Sequence, residues 1–154
     1  MLPTAVVETE PLEADPRRVL TFTLAGADYA LDLRWVREIR TPEPPTPLPG
    51  QPPAVLGVNN LRGDMVPLLC LRTELRQAPP AGNSGAVVVV QLPQGLLGLL
   101  VDAVQDVREL DAADRRPTPF PSSGARHLLG LYTTGQQPLQ LLDPMALASS
   151  AALH

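Results

Sequence analysis

With 154 residues, 12 arginines, no lysine and a formal charge of −4, the chain is sized for one domain, able to bury roughly 70% of its unfolded surface. The missing lysine excludes a P-loop, a protein-kinase phosphate lysine and Schiff-base chemistry as its own activity. The negative charge argues against nucleic acid as the main partner, and one cysteine, Cys70, allows no intrachain disulfide and fits a reducing compartment.

Residues 1–17 show no hydrophobic periodicity and carry Glu8, Glu10, Glu13 and Asp15, so they read as a disordered acidic arm ahead of a domain over 18–150. The acids stand where a secretory signal carries base, which points to a cytoplasmic protein. In Val19–Leu24, Leu20, Phe22 and Leu24 alternate with Thr21 and Thr23, which predicts a strand with one wet face. Ala25–Asp28 reads as a turn, and Tyr29, Leu31 and Leu33 continue the alternation as the second arm of a hairpin. Arg34–Arg40 fits helix and strand spacing only in part, and reads as a short helical turn passing into a strand.

Thr41–Pro53 holds seven prolines in thirteen residues. Proline cannot donate to a ladder or sit inside a helix, so this is an extended loop. Its PxxP spacings allow an SH3 or WW ligand, but a stiff surface crossing between strands is the favoured account. Ala54–Asn60 and Met65–Leu71 read as strands around a turn at Leu61–Asp64, and Leu71–Gln77 as one helical turn. Ala86–Leu92 is nearly all apolar and β-branched, hence buried on both faces. Leu96–Val107 reads as one long strand with a bulge at Gly98. A helical turn over 111–116 would be capped by Asp111, and a last hairpin, 128–133 with 139–142, leads to a helix over 144–150 capped by Asp143 with Pro144 at its first position. About nine short strands with regular turn signals predict an all-β sandwich or barrel pair.

Gln77–Val101 has no charge in 25 residues, but its three prolines and four glycines fit strands and a loop rather than a membrane helix. His154 ends the chain, and His127 has no Cys or His at metal-ligand spacing, so it reads as a surface loop residue. Cys70 sits in an apolar strand as a small core residue. No G-x-S-x-G is present. Arg62-Gly63-Asp64 spells the integrin tripeptide, a coincidence in a chain without a secretion signal. A hydrolase built on two carboxylates is the alternative that spacing alone leaves open.

Several segments together resemble the CheW family of chemosensory scaffold proteins. They are Phe22-Thr23-Leu24 with Tyr29-Ala30-Leu31, Val36-Arg37-Glu38-Ile39, Gly57-Val58-Asn59-Asn60-Leu61-Arg62-Gly63 followed by Val66-Pro67-Leu68-Leu69, Gly98–Val104, and Leu141-Leu142-Asp143. The G-V-x-N-L-R-G segment followed by a V-P strand is the specific part.

The resemblance implies two small five-stranded SH3-like β-barrels sharing a hydrophobic core, with short helices including one near the C-terminus. It implies a non-enzymatic adaptor without cofactor or metal, monomeric in isolation and not inserted in the membrane. Such an adaptor is recruited to membrane-associated arrays, where it bridges a chemoreceptor's cytoplasmic tip to the regulatory domain of a histidine kinase. An adaptor of another chemosensory pathway, such as pilus-based motility, is the nearest alternative.

Carried over position by position, the resemblance puts the receptor contact at Glu38 and Arg62, with Val36, Asn60, Leu61 and Gly63 beside them. Val36 and Leu61 would form an apolar floor, and Glu38 and Arg62 would pair across neighbouring strands. Asp102 matches the family's V-D step at a strand centre, where a carboxylate needs partners, so it reads as a fold-holding hydrogen-bond acceptor; the resemblance assigns Arg116 and Phe120 to a kinase or ring contact. Cys70 stands where the family often has Asp.

Overall fold

The computed structural model describes residues 18–78, 85–117, 127–133 and 137–151. The acidic arm over 1–17, Phe120 and His154 lie outside the described residues.

Eleven strands and two short helices follow one another among the described residues. They are β1 (Arg18–Leu24), β2 (Ala27–Asp32), β3 (Val36–Arg40), β4 (Val55–Leu61), β5 (Asp64–Cys70), α1 (Leu71–Glu74), β6 (Ala86–Leu92), β7 (Gly95–Val101), β8 (Ala103–Glu109), β9 (Arg115–Arg116), β10 (Leu128–Thr133), β11 (Pro138–Leu142) and α2 (Pro144–Ser150). They form a six-stranded sheet, β8-β1-β2-β11-β10-β9, and a five-stranded sheet, β3-β6-β7-β5-β4.

Both sheets must curl. Strands lie about 4.8 Å apart, so the edges of a flat six-stranded sheet would stand about 24 Å apart. Yet β8 and β9 are joined only through Leu110–Asp114, a link that reaches about 22 Å if fully extended. Part of it is wound into a 3-10 turn, Ala112–Asp114, whose start is capped by Asp111 Oδ1 accepting from the Ala113 N–H at 3.0 Å.

Curling buries both faces of the inner strands. On β1, Leu20, Phe22 and Leu24 enter the core shared by the two sheets, while Val19 packs with Ala30, Tyr132, Leu139 and Leu141 inside the first sheet. Thr21 is fully buried on that second side, and its hydroxyl donates to the Asp106 carbonyl at 3.2 Å. The threonine face expected to be wet at Thr21 is therefore an interior. A hydroxyl is tolerated there because a neighbouring strand offers it an acceptor. β6 divides likewise, with Val88 and Val90 in the shared core and Val87 and Val89 inside the second sheet with Leu61, Val66 and Leu68. Leu71 of α1 and Leu147 and Ala148 of α2 close the shared core. Asp143 caps α2 by accepting from the Met145 N–H at 3.0 Å, with Pro144 at the first turn.

The long strand expected over Leu96–Val107 is two strands in different sheets. It breaks at Asp102, where the chain leaves β7 for β8. Asp102 thus sits at a junction between sheets rather than at a strand centre. Gly98 marks no bulge, since the β6–β7 register runs unbroken through the Val89–Gly98 pair. A Cβ there would meet Val87 Cγ1 at 3.2 Å and Leu68 Cδ1 at 3.4 Å, so this glycine answers close packing inside the second barrel. The bulge falls instead in β8, at the register shift opposite Thr21 and Phe22.

His127 is buried, against the surface position expected. Its Nε2 lies 2.8 Å from Glu74 Oε2 and 3.5 Å from Ser150 Oγ, so it ties the start of β10 to α1 and to the end of α2. The three residues are far apart in sequence, and no local pattern could have joined them.

Candidate functional site

The segment from β2 to β3 is shaped by Asp32. This buried carboxylate accepts from the Arg34 backbone N–H at 3.0 Å and also receives the Arg34 guanidinium. It caps a 3-10 turn, Leu33–Trp35, which delivers the chain into β3. Along β3, Val36, Glu38 and Arg40 are half-buried while Arg37 and Ile39 are exposed. The period-2 alternation of a strand therefore puts Glu38 and Arg40 on one side.

Across the sheet, β4 and β5 are joined by the two-residue turn Arg62-Gly63. Both residues have positive φ, 52° and 94°, as a type I′ hairpin requires. Gly63 adopts this freely, whereas Arg62 holds a left-handed conformation that costs a side-chain-bearing residue about 1 kcal/mol. The Asn60 side chain offsets this strain: its Oδ1 accepts from the Gly63 N–H at 2.8 Å and fixes the turn. Leu61 is buried with Val66, Leu68, Val87 and Val89, so it anchors the turn from beneath. Val36 packs against the shared core.

The Arg62 guanidinium donates to Glu38 Oε2, and Arg40 Nη1 donates to Glu38 Oε1 at 3.2 Å. β3 and β4 are not hydrogen-bonded neighbours, as the expectation of adjacent strands would have it. They are the two edges of the five-stranded sheet, which would stand about 19 Å apart in a flat sheet. Glu38 and Arg62 meet because the sheet closes, and they clasp its seam. The proline loop crosses the same seam. Thr46 and Val58 exchange backbone hydrogen bonds of 2.9 Å each. Gly57 allows that approach, since a Cβ there would come within 2.3 Å of the Thr46 carbonyl oxygen.

Partial burial works to raise the Glu38 carboxyl, but the hydrogen bonds and charges of Arg40 and Arg62 outweigh it and hold the carboxyl below its ordinary range. Glu38 is 24% exposed and Arg62 66%. Two exposed apolar side chains are near this pair in sequence, Ile39 at 48% next to Glu38 on the other side of β3, and Met65 at 66% just past the Arg62-Gly63 turn. Their exposure could not be read from hydropathy, although the i, i+2 spacing of Glu38 and Arg40 was a usable signal for Arg40.

Another arginine–carboxylate pair lies between the sheets. Asp102 receives Arg72 Nε at 2.7 Å and Nη2 at 2.6 Å, and accepts from the Ala25 N–H at 2.9 Å. Arg72 also donates to the Ala78 carbonyl at 2.9 Å. The Asp102 carboxyl lies below its usual range, chiefly through the Arg72 hydrogen bond, against a smaller opposing effect of burial. This is the fold-holding acceptor expected of Asp102. A hydrolytic acid needs a carboxyl raised toward neutrality, whereas Glu38 and Asp102 are both held down. Among the described residues no three His, Cys, Asp or Glu side chains cluster to hold a metal, and no helix is long and apolar enough to cross a membrane.

Arg116 lies exposed in β9, donating to the Ala113 and Arg115 carbonyls at 2.9 Å each. Phe120, assigned with it to the kinase or ring contact, lies outside the described residues. Cys70 is buried at the end of β5.

The two sheets curl around a shared core, and the charged clasp lies at the surface of one of them. The CheW-like domain family matches residues 18–152. The chain is 36% identical over 134 residues to the chemotaxis protein CheW of Klebsiella aerogenes, covering 85% of this chain and 81% of that protein. It is 35% identical over 122 residues to CheW of Rhizobium meliloti, covering 75% and 78%, and 30% identical over 110 residues to protein FrzA of Myxococcus xanthus, covering 69% of each. Its fold is shared with the scaffolding protein TtCheW of Thermoanaerobacter tengcongensis, at a TM-score of 0.76 and 24% identity over 84% of this chain and 90% of that one. The chain belongs to the CheW-like domain family.

Proposed function

We propose that the protein is a chemotaxis adaptor that acts by binding alone, joining a chemoreceptor's cytoplasmic tip to the regulatory domain of a histidine kinase. The observation that carries the reading is the Glu38–Arg62 clasp. Two segments remote in sequence, V-R-E-I and N-N-L-R-G, meet at the seam of one barrel and leave Arg62 two-thirds exposed. Arginine offers a planar fork for a carboxylate or backbone carbonyls on a partner. Asn60, Leu61 and Gly63 hold the turn that carries Arg62. The adaptor can change kinase output only if it binds the kinase's two states with different affinity. Arg116 is the basic residue offered to the kinase side.

The test is co-sedimentation with receptor-bearing membranes and pull-down of a kinase regulatory domain, using Glu38→Arg and Arg62→Glu. Loss of receptor capture with an unchanged circular dichroism spectrum supports the reading, and unchanged capture sinks it. The similarity to protein FrzA favours a second reading, an adaptor serving a different chemosensory pathway. The receptor and kinase genes beside this one discriminate the two.

A further inference from the structure

We infer that Arg40 is a positioning residue for the receptor-binding site: it fixes one carboxylate oxygen of Glu38 so that the other faces Arg62. The inference rests on the reading of Glu38 and Arg62 as the receptor contact, and extends it to a residue outside the motifs that define that contact.

The three side chains are anchored unequally. Arg62 stands on a two-residue turn in a left-handed conformation and is largely exposed. Held by Arg62 alone, Glu38 would share its position with a long, solvated side chain, and pairs of that kind fix little. Arg40 is different. Its backbone is paired with Val87 of β6, and only 31% of its side chain is exposed. Arg40 lines a narrow, mostly apolar slot with Leu61, Val87 and Val89, which Thr41, Glu43 and Asn59 also line. An arginine whose aliphatic stem is laid along apolar surface presents its guanidinium from a fixed direction.

Residues two apart on a strand lie about 7 Å from each other on the same side, within reach of an arginine. Arg40 takes Oε1 and Arg62 takes Oε2, so the carboxylate is held at both oxygens. The rigid strand, through Arg40, thereby orients the exposed arginine on the turn.

The experiment uses the full chain and a soluble fragment of a chemoreceptor cytoplasmic hairpin as probe. Arg40→Met keeps the stem and removes the guanidinium, and Arg40→Lys restores one charged donor. Arg62→Met reports on the site itself. Losing one partly exposed charged hydrogen bond predicts about fivefold weaker binding in Arg40→Met, with most of it recovered in Arg40→Lys. Carbon-13 titration of the Glu38 carboxyl should show its midpoint moving up toward the ordinary 4.5 in Arg40→Met.

Undiminished binding in Arg40→Met, with Arg62→Met defective, overturns the inference and leaves the site reading standing. Undiminished binding in both overturns the site reading and the inference with it. Weakened binding with an unmoved Glu38 midpoint also overturns it, because Arg40 would then be touching the receptor itself. Should Arg40→Met fail to fold, the Arg40→Gln variant carries the same outcomes.

Discussion

Two of the protein's arginine–carboxylate pairs, Asp102 with Arg72 and Glu38 with Arg62, have almost identical chemistry and opposite character. Asp102 and Arg72 are fastened at every side. The carboxylate takes two guanidinium nitrogens and the Ala25 N–H, and the arginine also reaches the Ala78 carbonyl. Both side chains are about a quarter exposed or less. Their elements are α1, the β7–β8 junction and the β1–β2 turn, so the pair ties one barrel to the other. Glu38 and Arg62 instead join the two edges of a single sheet, and Arg62 ends in solvent. An ion pair enclosed by further hydrogen bonds holds a fold, whereas one left open on its cationic side is available to a partner. Burial and the count of remaining donors separate the two roles, and residue type does not.

Asp102→Ala separates the two pairs most strongly. It should cost about 1–2 kcal/mol in urea denaturation, a modest figure because part of the pair is solvated, and leave receptor binding unchanged at temperatures where the chain is folded. An effect on binding without loss of stability would reverse the assignment of roles. Arg62→Glu should do the opposite, abolishing receptor capture while leaving the urea midpoint in place. Reversing both residues, Glu38→Arg with Arg62→Glu, should restore capture only in part, because Arg40 then faces a second arginine.

Acid offers a third test. The Asp102 carboxyl is lower in the folded chain than its ordinary 3.8. Its stabilisation is therefore fully present above about pH 3.8 and is lost as pH falls through the depressed folded value. Asp102→Asn should flatten the acid limb of the stability curve in that window. The smallest expected effect is that of salt. Raising ionic strength from 0.05 to about 0.5 M shortens the screening length to a few ångströms. Receptor capture should weaken more than the urea midpoint moves, and an equal change in both would erase the distinction.

Much of the local structure was legible in the chain. The hairpin arms, the β-branched run at Ala86–Leu92, the caps at Asp111 and Asp143 and the strands around the Arg62-Gly63 turn are each written within a few residues of one another. The same holds for Glu38 and Arg62 as candidates, since each lies in a short recognisable segment. What stayed hidden has one cause. Thr21 is interior because a sheet curls, Leu96–Val107 divides because it changes sheets at Asp102, and His127 is buried because Glu74 and Ser150 arrive from elsewhere.

The β class, the hairpins, the capped C-terminal helix and the family are therefore written in the chain. These depend on alternation, turn chemistry and motifs that are local to the chain. Packing between distant strands fixes which faces are wet, that Glu38 and Arg62 meet across a seam instead of along a ladder, and that Arg40 joins them. Those facts depend on the curvature of a closed sheet, and curvature is set by how distant strands pack around a core.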